Sequence, residues 1–195
     1  MAQGAAIERN IAAFAFLLAG SGVAGAEPQA WLIDAGKSRL GIIYRINGDE
    51  RRGEISRFAG WARFDPDDLS TAEMALVIDM GSVDVGEPFG TMIAKTSDWF
   101  DVSAHPEARY TLDRMEPLGD DRFLAIGRLA MRGIERPVAG EATLSLDGPV
   151  AETKGEARFA RSLFGVGAGF TALFVEVGDE VAVEFDLRAR PEELK

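Results

Sequence analysis

Val181-Ala182-Val183-Glu184-Phe185-Asp186-Leu187-Arg188 is the stretch that decides the fold class. Val181, Val183, Phe185 and Leu187 fall on one side of an extended chain, and Glu184, Asp186 and Arg188 on the other. Successive side chains of a strand point to opposite faces, so this pattern marks a strand with one apolar and one solvated face. The same two-residue period recurs upstream. It carries Gly155, Ala157, Phe159 and Arg161; Val138, Gly140, Ala142, Leu144 and Leu146; and Phe123, Ala125, Gly127, Leu129 and Met131. Further back it carries Ala108, Tyr110 and Leu112; Met74, Leu76, Ile78 and Met80; Phe58, Gly60, Ala62 and Phe64; and Leu40, Ile42, Tyr44 and Ile46.

Turn signals separate these runs. Asn47-Gly48-Asp49, Asp65-Pro66-Asp67-Asp68, Pro117-Leu118-Gly119-Asp120-Asp121, Gly133 and Asp147-Gly148 read as tight connections, with Pro66 at the corner of a type I turn. Glu50-Arg51-Arg52-Gly53-Glu54 is charged and says little about structure. Strands at short spacing, joined mostly by hairpins, predict one all-β domain over residues 27–195. An eight-stranded antiparallel up-and-down barrel accounts for the hairpin order and removes exposed edges. A two-sheet sandwich has a similar pattern.

One excursion interrupts the alternation. Pro88-Phe89-Gly90 breaks the chain, and a short helical insertion is expected near residues 88–104, over Thr91 to Phe100 with Ser97-Asp98 as a second capping signal. Trp99 and Phe100 close this segment before the His105-Pro106 corner and read as a plug over the barrel mouth. Two aromatics beside a proline also read as a packed corner.

The first 26 residues carry Arg9, the apolar run Ile11–Ala19, then Ala24-Gly25-Ala26 before Glu27. This is the layout of a cleaved secretory signal and predicts a periplasmic protein. The run is short for a bilayer span, and no cysteine follows the small residues to take a lipoprotein anchor. The chain has no cysteine at all, which excludes thiol catalysis, thiolate metal sites and disulfides. Its formal net charge of −11 makes nucleic acid a poor partner.

Candidates for chemistry are few. His105 is the single histidine, so a histidine-rich metal site is impossible and a nucleophile–histidine–acid system would have to use this residue. No catalytic residue, metal or cofactor is assigned. Gly165-Val166-Gly167-Ala168-Gly169 lacks the lysine of a phosphate-binding loop and reads as a glycine corner. Arg161 shares the face of Ala157 and Phe159, so its guanidinium needs an acidic partner at the barrel mouth or a ligand head group. Large side chains beside small inward ones suggest a long apolar slot, and the sequence leaves open whether it is empty or packed. Tyr44, Phe58, Trp99, Phe100, Phe123, Phe159 and Phe164 are the candidate wall, with Arg161 at the head group.

Six blocks in order resemble a known family. They are Trp31-Leu32-Ile33-Asp34 with Ser38; Phe58-Ala59-Gly60 with Phe64-Asp65-Pro66; and Asp79-Met80-Gly81-Ser82-Val83-Asp84. They continue with Ser97-Asp98-Trp99-Phe100-Asp101-Val102, Pro106 and Tyr110; Gly127 to Ile134 with Arg136-Pro137; and Arg161-Ser162-Leu163-Phe164-Gly165. The set resembles the YceI-like family of exported bacterial proteins over nearly the whole chain after residue 26. The resemblance implies an extended lipocalin-like barrel whose lumen holds a polyisoprenoid chain, such as an isoprenoid quinone or a prenyl lipid, without catalysis. It also implies a homodimer as one state, since some relatives are dimers. Lys37 stands where the family often has histidine, and a second common histidine near Ile46 is missing. A second reading is a filled barrel acting as an interaction or stress-protective module beside a membrane cytochrome.

Overall fold

The computed structural model describes residues 28–65, 68–170 and 176–192. The expected signal segment, its expected cleavage site and the Pro66 corner lie outside the described residues.

Strands β1 (Gln29–Ile33), β2 (Arg39–Ile46), β3 (Asp49–Ile55), β4 (Phe58–Asp65), β5 (Asp68–Asp79), β6 (Val83–Asp84), β7 (Glu107–Gly119), β8 (Arg122–Met131), β9 (Ile134–Asp147), β10 (Val150–Ala160) and β11 (Glu180–Pro191) form one sheet, with one α-helix among the described residues, α1 (Pro88–Ala94). All pairings are antiparallel. Because β1 pairs with β11 as well as with β4, the sheet closes on itself. The segments resolve into eight barrel strands. β1 and β2 lie end to end along β11, facing Ala189–Pro191 and Ala182–Asp186 respectively. β3 and β4 follow them as the next strand, and β6 is a short edge piece on β3. The up-and-down barrel expected from the alternation is therefore the fold, although β7 beyond Thr111 pairs with β8 alone.

The two broken strands have local causes. Between β1 and β2 a 3₁₀ turn at Ala35–Lys37 lifts the chain off β11. The buried Ser38 repairs the ladder there: its hydroxyl donates to Asp34 O at 2.8 Å and accepts from Arg188 N at 2.9 Å. Between β3 and β4 the Asp79–Ser82 turn fills the gap. Asp79 Oδ1 accepts from Gly81 N at 2.8 Å and Asp79 Oδ2 pairs with Arg57 Nε at 2.7 Å, while Ser82 Oγ accepts from Arg57 N at 3.0 Å. A backbone that would otherwise be orphaned is satisfied by three short side chains. The charged run Glu50–Glu54, read as uninformative, is strand β3, because pairing with the apolar β2 outweighs its low strand propensity.

Three hairpins turn on two residues with positive φ: Asn47 and Gly48, Asp120 and Asp121, Arg132 and Gly133. That is the geometry whose twist matches the strands it joins. Pro117 and Leu118, expected in a turn, instead extend β7 through an irregular register. Pro88 does not break the chain. It opens α1 at its first turn, where Glu87 accepts from Gly90 N at 2.6 Å, and the residues from Thr96 to Ala104 continue as turns rather than as helix.

Outward positions carry cross-strand ion pairs, such as Arg188 with Glu152 at 3.0 Å and Arg128 with Asp113 at 3.0 Å. Exposed pairs of this kind add little stability, but they keep the outer face in water. Inward positions form two apolar clusters. One, around Leu40, Phe58, Leu76, Leu129 and Phe164, lies toward α1. The other, around Trp31, Phe64, Leu112 and Ala189, closes the opposite end. There Trp31 and Phe64 stack at 5.3 Å with their planes 8° apart.

Candidate functional site

Between the two clusters the barrel is hollow. A cavity of about 390 Å³ runs through it, within the range of small-molecule sites. Its wall is the face predicted by alternation: Leu40, Ile42, Tyr44 and Ile46 on β2; Met74, Leu76 and Ile78 on β5; Ala108, Tyr110 and Leu112 on β7; and Val181, Val183, Phe185 and Leu187 on β11 all line it. The space comes from the alanines. Ala62, Ala72, Ala125, Ala142, Ala151 and Ala157 face the void. Gly140 faces it too, whereas two other inward glycines are covered by a large neighbour. A Cβ at Gly155 would meet Phe185 Cζ at 2.6 Å, and one at Gly127 would meet Tyr110 Oη at 2.6 Å.

Of the predicted wall residues, Tyr44, Trp99, Phe100, Phe159 and Arg161 line the cavity. Phe58 and Phe164 stand behind the lining. Phe164 is completely buried and meets the edge of Phe159 at 5.5 Å, so it supports the wall rather than forming it. Phe123 is inward by parity but sits at the far end of the barrel opposite Ala142, and is not among the lining residues.

The mouth is covered by the excursion between β5 and β7. Its base is pinned by Met80 N donating to Pro106 O at 2.9 Å. Its far side is held by two arginines. Arg132 donates to Ser97 O at 2.9 Å and to Trp99 O. Arg161 Nε, Nη1 and Nη2 donate to the carbonyls of Gly178, Val166 and Val177 at 3.0, 2.5 and 2.8 Å, and its guanidinium lies 5.5 Å from the Trp99 ring centre. The acidic partner expected for Arg161 is not there: among the described residues no carboxylate is in ion-pairing distance. Backbone carbonyls replace it, because the Arg161–Phe164 turn wraps the following loop around the guanidinium. Gly167 N completes the join by donating to Asp98 O at 2.8 Å. On α1, Phe89 lines the cavity rim and is 67% exposed, with Met92 exposed one turn on.

Polar groups on the wall are sparse. Tyr44 Oη donates to Val85 O at 2.6 Å and so ties β2 to the excursion. Burial, then Glu87, push the Tyr44 phenol above its ordinary range. Tyr110 is pushed up to about 12, first by burial and then by Asp113. These are the chain's two tyrosines. Tyr110 is thus expected to stay protonated at pH 10 in the folded protein, and Tyr44 to ionise later than in the urea-unfolded chain, which titrates near the ordinary value, about 10. The stabilisation is fully present below the unfolded pKa and is lost as pH rises towards 12, because the unfolded chain releases its protons first. Ultraviolet titration of the two tyrosines, folded and unfolded, checks it; coincident curves would sink the assignment.

His105 sits in the corner that ends the excursion, its amide donating to Asp101 O at 2.8 Å and its ring beside Gly133. Among the described residues no group of histidine and carboxylate side chains is placed to hold a metal ion, and no helix is long and apolar enough to cross a membrane.

The barrel, its covering excursion and its apolar lumen can be compared with known proteins. A family model described as the YceI-like domain matches residues 31–189. The chain belongs to the YceI-like family. Among solved structures, Burkholderia cenocepacia BcnA superposes with a TM-score of 0.74 at 26% identity, covering 80% of this chain and 98% of that one. A polyisoprenoid binding domain from Saccharophagus degradans, implicated in plant cell wall breakdown, superposes with a TM-score of 0.68 at 15% identity, covering 84% and 99%. The latter likeness shows the fold alone. A UPF0312 protein of Pectobacterium atrosepticum is 28% identical over 92 residues, 47% of each chain. A UPF0312 protein of Vibrio parahaemolyticus is 21% identical over 121 residues. The chain spans 47% and 64% of the length of these two curated relatives. The opening motif of this YceI-like chain is the Ser38 ladder repair, its third is the Asp79–Ser82 turn, and its fourth and last form the two halves of the closed mouth. Phe64, Phe89, Tyr110 and Phe185 also line the cavity and were not among the aromatic candidates; of these Tyr110 alone brings a polar group. Its signal was a hydroxyl at an otherwise apolar inward position.

Proposed function

We propose that this protein is a non-catalytic carrier for a long apolar lipid of the isoprenoid class, held in the barrel lumen, and that it works in the periplasm after export. The observation that carries the reading is the cavity itself: hollow, closed at one end by the Trp31–Phe64 stack, covered at the other by Trp99 and Phe100, and walled by apolar side chains from every barrel strand. Each methylene moved from water into such a lumen contributes about 0.8 kcal/mol, so about ten give roughly 8 kcal/mol, comparable with the cost of immobilising a ligand. A narrow tube favours an unbranched or methyl-branched chain over a bulky ring system. The relative from Saccharophagus degradans, described as polyisoprenoid binding, supports the ligand class. An isoprenoid quinone or prenyl lipid is the specific cargo in this reading. The apolar run before Ala24-Gly25-Ala26 supports export.

Native mass spectrometry of the protein recovered from the periplasm, followed by solvent extraction, tests it. A stoichiometric prenyl lipid is expected. Protein that is empty and also fails to take up an isoprenoid quinone from detergent would overturn the reading.

A further inference from the structure

We propose that the Tyr110 hydroxyl is an internal hydrogen-bond donor that selects lipids carrying a carbonyl-type oxygen over plain hydrocarbons of similar length. The inference rests on the lipid-carrier reading and adds a specificity element to the same lumen.

Tyr110 stands midway along the tube. It pairs with Leu76 on β5 and Leu129 on β8, and its ring packs against both the mouth-side and the far-end apolar clusters. The ring leans over Gly127, whose missing side chain leaves the room it occupies. Among the described residues no hydrogen-bond partner falls to its hydroxyl. Nor is that hydroxyl one of the completely enclosed orphan groups, which are Trp31 Nε1 and Asp186 Oδ1, so it opens onto the lumen.

Of the other polar side chains on the wall, Thr153 donates to Thr143 O, Glu87 accepts from Gly90 N, and Glu73 is exposed. Tyr44 donates to Val85 O, and Arg161 holds three carbonyls. A hydroxyl left facing an apolar space loses a hydrogen bond that water would have supplied, and a ligand acceptor that reaches it restores that bond. Burial keeps the phenol protonated, so it is available as a donor throughout the working pH range. The arrangement places the oxygen-bearing end of the ligand inside the barrel rather than at its mouth.

The test compares Tyr110→Phe with the parent protein using two probes, a short-chain ubiquinone analogue and the isoprenoid hydrocarbon squalene. The variant removes one oxygen and keeps the ring over Gly127, so the apoprotein is expected to melt at the same temperature or higher. Quinone affinity is expected to fall about tenfold while squalene affinity is unchanged, the scale of one lost hydrogen bond. The infrared carbonyl band of bound quinone is expected to lie lower in the parent than in the variant. Equal effects on both probes, or unchanged quinone affinity and carbonyl band, overturn the role of Tyr110 while leaving the carrier reading standing. Failure of the parent to bind either probe overturns both.

Discussion

Phe159→Asp is expected to empty the barrel, reducing co-purified lipid by about a hundredfold or more, whereas Glu184→Gln leaves it loaded. Phe159 lines the cavity with the edge of its ring against the fully buried Phe164. A carboxylate in its place either stays ionised beside apolar side chains, at a cost of several kcal/mol, or takes up a proton and draws in water; both oppose a hydrocarbon ligand. At about 1.4 kcal/mol per decade, a loss of about 3 kcal/mol suffices for the hundredfold effect. Glu184 points outward and pairs with Arg52 at 2.9 Å. The check is lipid per protein by mass spectrometry, with thermal melting to match folded fractions. Because Phe159→Asp also weakens the core, Ala125→Phe is the companion variant. It fills the void with apolar volume and should exclude ligand without introducing charge. Lipid retained equally in all variants at matched folding would remove the lumen as the binding site.

Arg161→Ala is expected to loosen the covered mouth, with a loss of about 3 kcal/mol in urea unfolding and a ligand release rate raised about tenfold or more. Removing the guanidinium leaves the carbonyls of Val166, Val177 and Gly178 without their donor and takes the cation away from Trp99. An unsatisfied buried acceptor costs about 1–3 kcal/mol, and part of this is recovered by water at the rim. Arg161→Lys is expected to rescue little, because a single ammonium cannot span three carbonyls held by a planar fork. A head-group role for Arg161, which the sequence suggested, predicts something different. Stability would be unchanged, and affinity would fall only for lipids with a charged or strongly polar head. Measuring unfolding and off-rates for a polar and a non-polar ligand separates the two roles.

Most of the fold was legible in side-chain alternation because a closed barrel has one inside and one outside. Its strands tend to place an apolar residue at every second position, and β2 and β11 do so without interruption. The misreadings occur where another constraint outweighs that period. Glu50–Glu54 has no apolar face of its own and becomes β3 through its ladder with β2. Pro88 looks like a breaker, yet at the first turn of a helix its missing donor costs nothing. Phe123 has inward parity and stands opposite the lining Ala142, yet is not itself part of the lining, since parity says which face a residue is on and not which side chains reach the void.

The sequence by itself determined that the chain is all-β with strands joined by hairpins, that one face of those strands is apolar, and that Trp99 and Phe100 belong to the one irregular segment. These follow from periodicity and turn chemistry, which are local properties. The tertiary structure alone decided that the lumen is hollow, that Arg161 is held by backbone rather than by an acid, and that Tyr110 faces the void without a partner. Those facts depend on which strands stand opposite one another and how far a side chain reaches across the barrel. The alanines leave space only because the residues facing them are too short to fill it, and Gly127 and Gly155 leave none because Tyr110 and Phe185 lean over them.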